Sequence, residues 1–186
     1  MLKVYNTLDF QFKSISVEKE HIGIAFCDSK LRLIGYAKKL DQLSKKHISS
    51  QLKSDLSFLN RKSKQFDYCV IHNPDNLKLS KLYIFKLKDY NNYSIRDFQI
   101  LGGHLRSLIS FYQEDKVGIY PDGIISKKVS FINGISEMLI GSLLASYKFN
   151  KYKKINNKDN KIKKPSKVKI YSSSYSRLEK NYVNVE

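Results

Sequence analysis

Residues 141–154 read Gly-Ser-Leu-Leu-Ala-Ser-Tyr-Lys-Phe-Asn-Lys-Tyr-Lys-Lys, and they divide the chain into two kinds of sequence. The first part completes an apolar pattern with helical spacing that begins at Ser130. The second part opens a basic segment, because residues 148–169 hold ten lysines and one aspartate. We therefore predict the longest helix of the chain over 130–147, followed by an exposed lysine-rich loop over 148–169.

Before this helix, short apolar runs alternate with helical patterns. The run at 21–27, His-Ile-Gly-Ile-Ala-Phe-Cys, is bounded by charged residues and predicts a buried strand. The same criteria predict further strands over 4–12, 66–72, 81–87, 116–120 and 168–171. Helices are predicted over 40–52, with Asp41 as the N-cap, and over 94–112, with Ser94 as the N-cap.

This alternation predicts the fold class. Strands separated by helices of this length are typical of an α/β layered fold with a mixed or largely parallel sheet flanked by helices. We expect the core in the strands at 22–27, 67–71 and 82–87, covered by the helices at 95–112 and 130–147. After residue 171 the sequence becomes polar, and residues 172–186 are predicted to be a tail without fixed structure.

The charge of the chain has two interpretations. The formal net charge is +17 and the pI is about 9.7, which suggests an anionic partner. However, the basic residues are 29 lysines and only 5 arginines, and Asn, Ile and Tyr are abundant. A genome rich in A and T would produce that composition, and arginine is the better residue for bidentate phosphate or base recognition. A solvated surface and a nucleic-acid surface both remain open.

Cysteine usage and hydropathy indicate a cytosolic protein. Cys27 and Cys69 both lie in apolar strand-like runs, with no histidine at metal-ligand spacing, so they are predicted to be buried thiols in a reducing compartment. The first residues lack the apolar region of a signal peptide. No apolar run approaches the ~20 residues that a membrane span requires, so we expect no membrane partner.

No catalytic or metal-binding pattern occurs in these 186 residues. The four histidines are scattered without the spacing of a metal site on one element, and no nucleophile elbow is present. The glycine pair Gly102-Gly103 lies within a helical pattern, so we predict close packing of that helix on the sheet rather than a ligand-binding turn. Gly134, Gly141 and Ala145 form a similar stripe for close approach of a neighbouring element.

One segment could bind nucleic acid. Tyr147, Phe149 and Tyr152 alternate with lysines, and such interleaving can stack bases and neutralise phosphates. Alternatively, the aromatic residues anchor the end of the helix while the lysines face water. The candidate phosphate-binding residues are Lys148, Lys151, Lys153, Lys154, Lys161, Lys163 and Lys164.

The stretch 141–154 resembles the end of the N-terminal domain of leucyl (cytosol) aminopeptidases, peptidase family M17. In that family a helix with small residues runs into an aromatic-basic signature of the form Tyr-Arg/Lys-Phe-Asp-x-Tyr-Lys. The resemblance extends more weakly to the turn at Asn73-Pro74 and to the strand at 82–87. It implies a small α/β domain, macro-domain-like in fold, over residues 1–171, with residues 172–186 as a tail or the start of a linker.

The resemblance also implies a function. These enzymes are hexamers that remove N-terminal residues from peptides with two divalent metal ions, Zn or Mn, held in a C-terminal catalytic domain. The family's motif Asn-Thr-Asp-Ala-Glu-Gly-Arg does not occur here, so this chain is expected to be a non-catalytic regulatory or assembly domain whose partner is the catalytic domain. The alternative is a free-standing basic protein that binds nucleic acid, including DNA without sequence preference, through 148–169. A macro-type domain for an ADP-ribose-like ligand is a third possibility, which the lack of a glycine-rich phosphate loop disfavours.

Overall fold

The computed structural model describes residues 8–16, 20–55, 66–112, 116–146 and 166–183. Within these ranges six strands form one sheet in the order β1-β6-β5-β2-β4-β3. The strands are β1 Leu8–Lys13, β2 Glu20–Asp28, β3 Phe66–His72, β4 Leu79–Leu87, β5 Lys116–Ile119 and β6 Ser166–Tyr171. All neighbours are parallel except β3 and β4, which are antiparallel. The predicted mixed, largely parallel sheet is therefore confirmed.

Helices cover both faces of the sheet. They are α1 Ala37–Leu43, α2 His47–Ser54, α3 Ile95–Tyr112, α4 Phe131–Ser146 and α5 Tyr175–Val183, with a short 3-10 turn at Tyr90–Asn92. The apolar residues of α1 and α2 pack on one face, and those of α3, α4 and α5 pack on the other. The molecule thus has three layers, with the sheet in the middle. Among the described residues, no helix is long and apolar enough to cross a membrane.

The central strands are buried on both faces because they lie between two helical layers. In β2, Ile24 and Phe26 face the layer of α3 and α4, whereas Ala25 and Cys27 face α1 and α2. Every one of these side chains is at most 1% exposed. The predicted core is confirmed, and both cysteines are buried and form no disulfide.

Helices α3 and α4 approach each other at small residues. A Cβ on Gly102 would lie 1.9 Å from the carbonyl oxygen of Met138, and a Cβ on Gly141 would lie 2.1 Å from that of Gln99. The hydroxyl of Ser142 donates to the carbonyls of Gly102 and Met138, at 2.9 and 3.0 Å. The predicted close approach is correct, but its partner was wrong: Gly102 packs against a helix and not against the sheet.

The single helix predicted over 40–52 is two helices. Lys45 and Lys46 have φ values of 53° and 62°, in the left-handed region, and this turn separates α1 from α2. Asp41 is therefore not an N-cap of the predicted kind. It lies inside α1, and its carboxylate accepts the backbone N–H of Ser49 at 2.8 Å, in the first turn of α2. This bond satisfies an amide that has no partner within its own helix.

Two other expectations need correction. Within the described residues helix α3 spans 18 residues and α4 spans 16, so α4 is not the longest helix there. Residues 175–183 form helix α5 rather than an unstructured tail, and its Leu178 and Tyr182 are buried. The Tyr182 ring packs against Phe10 and Phe12 of β1, with centroids 5.7 and 5.6 Å away. The predicted cap is confirmed, since the Ser94 hydroxyl accepts the N–H of Asp97 at 3.4 Å.

Candidate functional site at the carboxyl edge of the sheet

The carboxyl ends of the parallel strands define where a ligand would bind. In open α/β sheets, ligands occupy the crevice where neighbouring strands send their connections to opposite faces. Here β2 and β5 are neighbours, the chain leaves β2 towards α1, and it leaves β5 towards α4 on the other face. The loops 29–36 and 120–130 therefore flank the candidate site.

These two loops touch each other through their backbones. Gly35 has a φ of 53° and Gly123 a φ of 94°, both in the region that favours glycine. A Cβ on Gly35 would lie 1.4 Å from the carbonyl oxygen of Asp122, and a Cβ on Gly123 would lie 2.5 Å from the nitrogen of Gly35. At this point the crevice is closed, because the backbone at Gly35 contacts the backbone at Asp122 and Gly123.

Three tyrosine rings fill the space next to this contact. Tyr36 stacks on Tyr120 with centroids 5.5 Å apart, and Tyr120 stacks on Tyr171 at 5.1 Å. Tyr120 and Tyr171 are fully buried. Tyr36 is half-buried, burial raises the pKa of its phenol, and the Nζ of Lys39 lies 5.7 Å from the centre of its ring. The protein's own side chains therefore occupy this side of the carboxyl edge.

The carboxylate nearest the contact holds another loop in place. Asp122 accepts hydrogen bonds from the hydroxyls of Ser172 and Ser173, at 2.5 and 2.8 Å, and from the backbone N–H of Ser173 at 3.0 Å. These bonds tie the loop after β5 to the loop that leads from β6 into α5. Both oxygens of the Asp122 carboxylate therefore accept hydrogen bonds from within the protein.

Asp28, the last residue of β2, is similarly engaged. Its Oδ1 accepts the N–H groups of Lys30 and Arg32, each at 2.9 Å, and its Oδ2 accepts the Nε–H of Arg32 at 2.7 Å. Burial alone would raise the pKa of this carboxyl, but the hydrogen bonds from Arg32 and Lys30 outweigh it, so the pKa lies below its ordinary value. Asp28 is thus a structural acceptor that stays ionised.

A small recess lies outside the ends of β2 and β4. It has a volume of about 170 Å³ and is lined by Asp28, Ser29, Arg32, Leu87, Asp89, Tyr90 and Asn91. Pockets that enclose small-molecule ligands have volumes of roughly 300–1,000 Å³. Asp89 also accepts the side-chain amide of Asn92 at 2.8 Å. The recess is therefore too small to enclose a nucleotide.

The titratable side chains do not assemble into a metal centre in the ranges that the structure describes. The Nδ1 of His47 accepts the backbone N–H of Asp75 at 3.2 Å and lies 3.3 Å from its carboxylate. His72 and His104 are exposed on β3 and α3. The side chain of His21 lies outside the described residues.

The predicted phosphate-binding lysines cannot be placed. Lys148, Lys151, Lys153, Lys154, Lys161, Lys163 and Lys164 all lie outside the described residues. In the sequence, Pro121-Asp122-Gly123 has the composition of a turn, and Ser172-Ser173-Ser174 opens the polar stretch after β6. The sequence alone does not pair them, because a contact between residues about 50 positions apart leaves no local pattern.

Comparison with known protein families and with curated proteins gives no match. Several solved structures have a similar fold. The macrodomain of Oceanobacillus iheyensis with ADP superposes with a TM-score of 0.64 at 11% identity, covering 97% of this chain and 92% of that one. The macrodomain of Thermus aquaticus DarG gives 0.58 at 9% identity, covering 90% and 99%.

A tomato leucine aminopeptidase, mutant K354E, gives a TM-score of 0.58 at 13% identity. The match covers 94% of this chain but only 35% of the aminopeptidase. This protein thus has the macrodomain fold, which is also the fold of about a third of that enzyme. At these identities the likeness extends to the fold alone.

Proposed function

We propose that this chain is a non-catalytic domain of the leucyl-aminopeptidase type, acting in assembly or regulation as the N-terminal domain does in those enzymes. The observation that carries the proposal is the closed carboxyl edge. The backbone of Gly35 meets that of Asp122 and Gly123 at the switch point, where a ligand of this fold would enter. A domain closed in this way acts through its surface.

The stretch that resembles the aminopeptidases supports the same proposal. Gly141 lies where α4 touches the backbone of α3, and Ser142 bridges the two helices. The small residues of the motif therefore pack the domain and perform no chemistry. Peptide hydrolysis, the two metal ions and the hexamer would belong to the whole enzyme, with the catalytic domain as the partner of this chain.

Co-purification tests the assembly role. The tagged chain is co-expressed with a leucyl-aminopeptidase catalytic domain encoded in the same genome, and the mixture is separated by size-exclusion chromatography. We expect both polypeptides to elute together in equal amounts. Separate elution at micromolar concentration would contradict the proposal.

Calorimetry with ADP tests the competing function, since ADP is present in the Oceanobacillus macrodomain structure. Two features oppose a nucleotide site here: the contact between the loops and the stacked rings of Tyr36, Tyr120 and Tyr171. We expect no saturable heat of binding with ADP or ADP-ribose at about 1 mM, equivalent to a binding free energy weaker than about −4 kcal/mol. Saturation at micromolar ligand would replace the assembly role with ligand binding.

A further inference from the structure

The layer formed by α1, α2 and the loop before them concentrates positive charge. Residues 30–53 contain seven basic residues and a single acidic one, Asp41. All seven are exposed: Lys30, Arg32, Lys38, Lys39, Lys45, Lys46 and Lys53. The carboxylate of Asp41 accepts the N–H of Ser49, which turns it towards the backbone of α2. We call these residues the basic layer.

The opposite helical layer carries no such excess. Helices α3, α4 and α5 together contain four basic and three acidic residues: Arg96, Arg106, Arg177, Lys180, Asp97, Glu137 and Glu179. One of these arginines, Arg106, is only 6% exposed. A bias in codon usage would spread lysine over both layers. Within the described residues the excess is one-sided, and codon usage alone does not explain that.

Among the residues that the structure describes, no acidic side chain pairs with a lysine of the basic layer. Arg32 pairs with Asp28 at 2.7 Å, and the other six basic side chains form no ion pair in the described part of the chain. Like charges held close together repel each other, which opposes folding in the absence of a polyanion. A bound polyanion would remove this repulsion.

The basic layer extends across the whole height of the sheet. Lys30 and Arg32 follow the carboxyl end of β2. Lys45 and Lys46 lie at the opposite edge, because the adjacent His47 binds Asp75 in the turn between β3 and β4. Since β2 has nine residues, the distance between these edges is about 30 Å. A stripe of this length matches an extended partner rather than a small anion.

We propose that the basic layer binds the phosphate backbone of duplex nucleic acid without sequence preference. Its charges are nearly all lysines, which neutralise phosphates as point charges, and its one arginine is held by Asp28. This surface is distinct from residues 148–169, and the inference does not depend on the proposed assembly role.

Two observations select a duplex over other polyanions. Single strands are bound by stacking their bases on aromatic side chains. The ring of Tyr36 has Tyr120 on one face and the Nζ of Lys39 over the ring, so it offers no free platform. Helices that lie on an anionic membrane bind through buried apolar area as well as through charge. In the described basic layer, one large apolar side chain is exposed to solvent, that of Leu43 at 43%.

Fluorescence anisotropy with a labelled duplex of about 30 base pairs tests the proposal over a salt series of about 50 to 200 mM. The test variant replaces five lysines of the layer with glutamine: Lys38, Lys39, Lys45, Lys46 and Lys53. The matched control replaces five exposed lysines elsewhere, with the same change in net charge: Lys116, Lys127, Lys128, Lys167 and Lys180. A third variant replaces the lysines at 151, 153, 154, 161, 163 and 164.

For the unmodified chain we expect log affinity to fall with log salt at about −0.9 per phosphate contacted, or about −4 to −5 for five contacts. The layer variant should bind at least about tenfold more weakly at low salt with a flatter slope, and the control should change less than about threefold. The pair variants Lys38→Gln/Lys39→Gln and Lys45→Gln/Lys46→Gln should each give part of the loss, and circular dichroism checks that each folds.

Four results would overturn the proposal: no binding by the unmodified chain, equal losses in the layer variant and the matched control, tighter binding to single strands, or tighter binding to anionic vesicles. A loss confined to the third variant would also overturn it and would assign the binding to 148–169 instead.

Discussion

Gly35 is the residue on which the shape of the carboxyl edge depends. Its positive φ and its lack of a side chain allow the loop after β2 to touch the loop after β5. The stacked tyrosines and the hydrogen bonds of Asp122 lie around this contact. A side chain at position 35 would have to displace main chain, which has less freedom to move than a flexible side chain.

We expect Gly35→Ala to destabilise the protein by more than about 2 kcal/mol, because it combines a left-handed backbone with a collision against a carbonyl. Gly103→Ala is the matched control: its Cβ would meet that of Ala145 at an ordinary 3.8 Å, within a helix. That substitution should be neutral or stabilising by up to about 1 kcal/mol. Urea unfolding measures both, and equal losses would show that the loop contact does not matter.

Asp28 makes stability depend on pH. Its folded pKa lies below the unfolded value of about 3.9, so the folded state binds fewer protons. The stabilisation is therefore present above about pH 4 and is lost as the pH falls through the folded pKa. Asp28→Asn should lower stability at neutral pH and flatten its decline between about pH 5 and 3. Parallel curves for Asp28→Asn and the unmodified chain would contradict this.

At the level of elements, helix α4 is held in place by the burial of one of its faces against the core. Leu139 is fully buried against the sheet, and Leu144, five residues further along, is 63% exposed. We expect Leu139→Ala to cost about 2–5 kcal/mol through the lost contacts and the cavity. Leu144→Ala, the same chemical change in the same helix, should alter stability by less than about 0.5 kcal/mol. Thermal midpoints that shift equally would show that the buried face is misassigned.

The strands could be predicted from the sequence because their signal is local. Strand β3 at 66–72 matches the prediction at both ends. Strand β4 begins at Leu79, two residues before the predicted start, and ends where predicted. The break between α1 and α2 was missed, since two lysines in a left-handed turn have no glycine to mark it. Helix α5 was missed because its two buried residues, Leu178 and Tyr182, are surrounded by polar ones.

The closed carboxyl edge could not be predicted from the sequence. Tyr36, Tyr120 and Tyr171 come from three loops or strand ends that are far apart in the chain, and each has an ordinary local context. The basic layer could not be recognised from the sequence either. The lysines of 148–169 are contiguous and conspicuous, whereas those of 30–53 are separated by apolar positions and meet only when two helices pack side by side.

For the whole molecule, we predict that the purified chain does not hydrolyse a leucine chromogenic amide with added manganese or zinc. The described residues contain no group of three potential metal ligands, and the sequence lacks the family's catalytic motif. The control is a complete leucyl aminopeptidase in the same buffer. Turnover above the buffer level that persists through a second purification would contradict the prediction.

The pairing of β1 with β6 has a consequence for the order of folding. These strands are neighbours in the sheet, yet Ser166 follows its partner Leu8 by roughly 160 residues. During synthesis β1 emerges from the ribosome before the other described strands, whereas β6 and α5, against which it packs, emerge after them. Strands β2, β4 and β3 pair within a much shorter stretch. Contacts between distant residues form late, so β1 should join a sheet that has already formed, and its amides should be the last to gain protection from hydrogen exchange.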